Sequence, residues 1–116
     1  MDVTTLRELF RNLQQWEALF DTAHVDTITA PNGQEYHLTD IQYLYSCRVR
    51  LSPRQRQAIE LCLYNDTKEK DATLIMGVSP TNPVAMYATN GLRRICEMID
   101  AGQLPRYRPD AWVAEV

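Results

Sequence analysis

The chain has 116 residues, 45% of them apolar, which suits one domain with a packed core and excludes wholesale disorder. No apolar run approaches the roughly 20 residues of a membrane helix, and the opening MDVTTLRELF has an acid at position 2 and no secretory apolar region, so a soluble cytoplasmic protein without membrane contact is expected. The formal net charge of −3 is unevenly split: residues 1–47 set Arg7 and Arg11 against seven acids (−5), and residues 48–108 set ten bases against six acids (+4), so the front repels a phosphate backbone and the back suits one.

In chain order, Thr5 with Glu8 forms the pattern of a capping box. Leu6, Leu9, Phe10, Leu13, Trp16, Leu19 and Phe20 then recur at helical spacing, opposite Arg7, Arg11, Gln14 and Glu17. Val25, Thr27, Ile28 and Thr29 favour strand, and Pro31-Asn32-Gly33 is a turn signal, so a small β-hairpin is predicted over 26–38. Thr39 with Gln42 is a second capping-box pattern, opening a helix through Ile41, Tyr43, Leu44, Tyr45 and Val49. Ser52-Pro53-x-Gln55 is a third, with proline at the first helical position, and its helix runs over 53–65. Thr67 caps a short helix holding Ala72, Ile75 and Met76, which stops at a left-handed Gly77.

The last helix begins at Pro83 with Asn82 or Thr81 as its cap. It buries Val84, Ala88, Gly91, Leu92, Ile95 and Ile99, and Gly91 on that stripe would permit a close helix crossing. Residues 101–116 read as an extended tail in which Trp112 docks on the domain or a partner. Cys47, Cys62 and Cys96 are too dispersed for a disulfide framework, and with only His24 and His37 beside them no zinc cluster is expected. Cys62 and Cys96 are read as buried apolar side chains. His37 is read as a hairpin residue, not a catalyst.

The fold class expected is therefore mainly α. Residues 1–50 form an N-terminal helix, hairpin and helix, and residues 51–100 form a tri-helical unit. Its last two helices are joined by GVSPTN, a helix-turn-helix joint: glycine ends one helix, Val78 plugs the turn, small polar residues start the next, and two prolines stiffen the angle. Residues 51–95, LSPRQRQAIELCLYNDTKEKDATLIMGVSPTNPVAMYATNGLRRI, resemble the fourth conserved region of bacterial sigma factors and related helix-turn-helix regulators. The matching segments are Leu51 to Arg56, Met76-Gly77-Val78-Ser79 and Leu92-Arg93-Arg94-Ile95. The wording SPTNPVAMYAT is similar to sequences of tailed phages of actinobacteria. The chain departs from the family in one extra residue over 80–83, in Ala72-Thr73, and in having no Arg or Lys in its last helix before Arg93.

That resemblance implies double-stranded DNA binding in transcription regulation, with RNA polymerase as a protein partner. The base-contact candidates are Asn82, Ala85, Met86, Thr89 and Asn90, since Asn can pair with adenine and Ala, Met and Thr can meet a thymine methyl. The backbone candidates are Arg54, Arg56, Lys68, Lys70, Arg93 and Arg94. Homo-oligomerisation is assigned to residues 1–50. Two other readings stand beside this one: the small subunit of a phage terminase, and a module that binds only protein through its Met and Ala stripe. No cofactor and no catalysis are expected. There is no Gly-rich phosphate loop or nucleophile elbow, and Asp66, Glu69 and Asp71 alternate with Lys68 and Lys70 as on a solvated helix face.

Overall fold

The computed structural model describes residues 1–107. Its first helix, α1 (Val3–Ala23), starts earlier than the Thr5–Glu8 pattern predicts, because Asp2 takes the cap position and its carboxylate accepts the Thr5 N–H at 2.7 Å. Two capping residues compete within one turn, and the charged acceptor wins. Leu6, Leu9, Phe10 and Leu13 are fully buried, whereas Leu19 and Phe20, in the last turn, stand exposed beyond the core.

The hairpin pairs β1 (Thr27–Thr29) with β2 (Glu35–His37), Ile28 facing Tyr36. Both side chains are buried, so the hairpin is held by its contact with the helices. β2 runs directly into α2 (Leu38–Ser46), and the Thr39–Gln42 box does not form. His37 holds the cap position, its Nδ1 3.0 Å from Thr39 Oγ1, while Gln42 reaches across the fold to Glu17. A 3-10 turn follows over Cys47–Arg50, so Val49, read as part of the helix, lies beyond its end and is exposed.

The Ser52 capping box forms in both directions and opens α3 (Pro53–Ile59). The helix then widens into a π turn, Glu60–Tyr64, closed by the Asn65 N–H on Glu60 O at 3.0 Å. The extra residue per turn sends Leu63 into the core, leaves Cys62 half-buried, and swings Tyr64 towards α1. Lys68, not Thr67, precedes α4 (Glu69–Met76) and makes no side-chain cap. Of the three apolar side chains read on this helix, Ala72 is buried and Met76 partly so, and Ile75 is 58% exposed beside Leu74 at 74%. Two turns of helix have one narrow inner face, and Ala72 occupies it.

Gly77 ends α4 at φ 64°, its N–H on Thr73 O at 2.9 Å. The final helix, α5 (Val84–Asp100), begins one residue later than predicted: Pro83 itself holds the cap position in an extended conformation, so neither Asn82 nor Thr81 caps it. Asn82 instead closes the turn through its N–H to Ser79 O at 3.1 Å. Val84, Ala88, Gly91, Leu92 and Ile95 are buried as read; Cys96 and Met98 join them, and Ile99 is half-buried. Beyond α5 the chain folds back. Leu104 enters the core and the Arg106 guanidinium lies 5.1 Å from the Tyr43 ring centre. The remainder of the expected tail, with Trp112, lies outside the described residues.

A continuous core runs from Leu6 to Leu104 and takes side chains from both the front section and the tri-helical unit. Two features fix its helices against one another. On one side, Glu17 accepts hydrogen bonds from Gln42 Nε2 at 2.9 Å and from the Tyr64 hydroxyl at 2.7 Å, joining α1 to α2 and to the π turn. Tyr64 stacks on Tyr45 at 4.8 Å, and Tyr45 meets Phe10 edge-on at 5.3 Å. On the other side, α3 crosses α5 at Gly91. A Cβ there would lie 2.8 Å from Ile59 Cδ1, 3.2 Å from Leu51 Cδ1 and 3.3 Å from Gln55 Cβ.

Alanine at position 91 would recover up to about 1 kcal/mol of helix propensity, but valine must push α3 away. Overpacking of this kind costs roughly 1–3 kcal/mol. Gly91→Val is therefore expected to lower the urea midpoint by an amount equivalent to about 2 kcal/mol at an unchanged m-value.

Among the described residues, five phenols and thiols titrate late, Tyr43 among them because burial raises it. Burial pushes the Tyr45 phenol up to about 12 and the Cys96 thiol up to about 11. The hydrogen bond to Glu17 raises Tyr64, and burial raises Cys62. A folded-state value above the unfolded one adds stability that is complete below the unfolded value and is lost as pH climbs through the folded one. With unfolded values of 9.0 for the thiols and 10.0 for the phenols, urea titrations should show stability falling steadily from pH 9.0 to about 12. In Cys96→Ala the first part of that fall, between pH 9.0 and about 11, should be shallower.

Candidate nucleic-acid interface

The joint between α4 and α5 fixes which face of α5 turns outward. Residues at i, i+4 and i+7 share a helix face, so Met86, Asn90 and Arg93 form one stripe, opposite the buried Val84, Ala88 and Ile95. Ala85 and Arg93 are exposed, and Met86, Thr89 and Asn90 are half-buried. Asn82, in the preceding turn, is exposed. The five base-contact candidates thus lie together along the outer side of the joint and the first half of α5.

Two of them already have partners. Arg93 Nη1 donates to Asn90 Oδ1 at 2.9 Å. Asn90 Oδ1 keeps a second lone pair and its NH2 both donors, so pairing with adenine, in which the oxygen accepts and the NH2 donates, does not require that bond to break. Thr89 Oγ1 accepts from Arg7 Nη2 at 2.8 Å. Thr89 is therefore held towards α1, on the flank of the stripe.

The backbone candidates surround this face unevenly. Arg54, Lys68, Lys70, Arg93 and Arg94 are exposed, and Arg56 is half-buried. The Arg54 guanidinium lies 5.7 Å from the Tyr87 ring centre, and Arg94 is 3.8 Å from Glu97. Seven residues apart, Tyr87 and Arg94 share the α3 flank of α5. Other cations of the basic section point elsewhere: Arg48 pairs with Glu60 at 2.8 Å and lies 4.0 Å over Tyr45, and Arg50 donates to Gln103 O at 3.3 Å.

Sequence reasoning missed two residues at this site. α1 lies antiparallel to α5, with the Met1 amine 3.6 Å from Asp100 at one end and Arg7 on Thr89 midway. Arg7 and Arg11, the two bases of the acidic front, consequently line a groove of about 410 Å³ beside α5, with Cys62, Glu69, Ala85 and Thr89 among its other walls. Burial and nearby Glu69 raise the Cys62 thiol, which makes it a poor nucleophile at neutral pH. The one legible signal was the i, i+4 spacing of the two arginines on the polar face of α1; their neighbour was not legible.

Among the described residues, no group of three or more His, Cys, Asp or Glu side chains is arranged to hold a metal, and no helix is long and apolar enough to cross a membrane. No family model, curated protein or solved structure matches this chain.

Proposed function

We propose that this chain binds duplex DNA in transcription regulation, reading bases with the outer face of α5 and holding phosphates with the cations around it. Bacterial RNA polymerase is its protein partner in this reading and the cytoplasm of a phage-infected host its place of action, as the sigma-region-4-like segment implies. The observation that carries the reading is the outward stripe Met86, Asn90 and Arg93, held away from the core by a short joint ended by Gly77 and Pro83. A helix presented in this way fits the major groove, with apolar and amide side chains for base edges and arginines for the walls. The exposed Leu19, Phe20 and Val25 at the end of α1 support self-association through the front section.

A protein-only role has its own supporting observation: Leu74 and Ile75 form an exposed apolar pair on α4, where a DNA-facing helix has no use for one. The two readings separate in a fluorescence-anisotropy titration with random and selected duplexes over a salt series. Six phosphate contacts give a slope of roughly −5 in log K against log salt. Negligible affinity for every duplex at low salt overturns DNA binding and leaves the α4 surface as the functional one.

Asn90→Ala should cost about 1–3 kcal/mol on a selected duplex while leaving the salt slope unaltered, because it removes a base contact and no phosphate contact. The measurement is the same titration, repeated with the adenine opposite Asn90 replaced.

A further inference from the structure

We infer that Arg7 and Arg11 form a second phosphate-binding flank, so that the acidic front section supplies part of the DNA interface. This rests on α5 reading duplex DNA. Three observations lead to it. First, α1 cannot swing clear of α5. Leu6, Leu9, Phe10 and Leu13 are fully buried beneath it, and burying side chains of this kind contributes roughly 1.5–3 kcal/mol apiece. A duplex that reaches α5 meets α1 in its folded position.

Second, the geometry is two-sided. Tyr87 and Thr89 lie on opposite flanks of α5, two residues and about 200° of helical rotation apart. Arg54 lies over Tyr87, and Arg94 shares that flank. Arg7 is bonded to Thr89, and Arg11 joins it on the wall of the groove that also includes Ala85. A helix with its side chains is about 10–12 Å across, close to the major-groove width of about 12 Å. Seating α5 in that groove brings one arginine flank to each phosphate wall.

Third, both arginines can be recruited. Arg7 gives one N–H to Thr89, and a guanidinium has further donors in a planar fork that suits phosphate. Arg11 is 46% exposed and paired at 3.1 Å with Glu8 one turn away. Exposed pairs of this kind are weak enough to be exchanged for a phosphate. Glu8 and Glu69 beside them keep the groove near neutral in the free protein, which is why a count of charge along the chain does not find it.

The test compares salt slopes by fluorescence anisotropy on one selected duplex for the wild type, Arg7→Ala/Arg11→Ala, Arg11→Glu and Arg106→Ala. Each lost phosphate contact reduces the slope by about 0.9. The double variant should be shallower by about 2, so that between about 50 and 200 mM salt it loses roughly tenfold less affinity than the wild type. Arg11→Glu reverses a charge at a 46% exposed position without opening the core, and should weaken binding most at low salt. Arg7→Lys keeps the charge and should keep the slope, whereas a purely structural Arg7 would fail in both replacements. Arg106→Ala removes a cation from the Tyr43 side and should change nothing. A wild type with a steep slope and a double variant with the same slope overturns this inference and leaves DNA reading by α5 intact; a wild type that binds no duplex overturns both.

Discussion

The close approach of α3 to the bare backbone of Gly91 is the constraint on which the outward face of the molecule depends. Glycine inside a helix costs about 1 kcal/mol relative to alanine. The space it leaves is filled by Ile59 and Leu51, both buried against it, and burial of one such side chain contributes roughly 1.5–3 kcal/mol. Packing therefore outweighs propensity, and the crossing angle follows from it. Met86, Asn90 and Arg93 are presented as they are because the middle of α5 is clamped at Gly91 and its beginning is turned by Gly77 and Pro83.

The front section is fixed to this clamp by a different chemistry. Glu17 uses both carboxylate oxygens, one for Gln42 and one for Tyr64, and Tyr45 is stacked between Tyr64 and the edge of Phe10. The π turn makes this connection, since the widened helix sends Tyr64 to α1 while Leu63 stays inside. Core and polar contacts together make α1 a fixed wall along one flank of α5, and its arginines face that helix from a part of the chain whose net charge is acidic.

Charge counted along the chain and charge arranged in space thus give different maps. Of the bases in the second section, Arg48, Arg50 and Arg106 are engaged near α2 and the returning end of the chain. Of the bases in the first section, both Arg7 and Arg11 are beside α5. The folded chain has arginines on both flanks of one stripe, where the sequence shows an acidic half and a basic half.

The sequence by itself determined the elements whose causes are local. The stripe of Leu6, Leu9, Phe10 and Leu13, the Pro31-Asn32-Gly33 turn, the Ser52–Gln55 box and the Gly77 stop each need only a few neighbouring residues, and each is found where it was read. Where a side chain had a choice between a local and a distant partner, only the tertiary structure decided. Gln42 left its capping box for Glu17, Thr89 turned from the open face to Arg7, and Ile75 stayed in water because Ala72 already filled the inner side of a two-turn helix. A local pattern fixes which partners a residue can reach within one turn of helix. Which distant group arrives beside it is fixed by how the helices cross, and the crossing is set by the whole core at once.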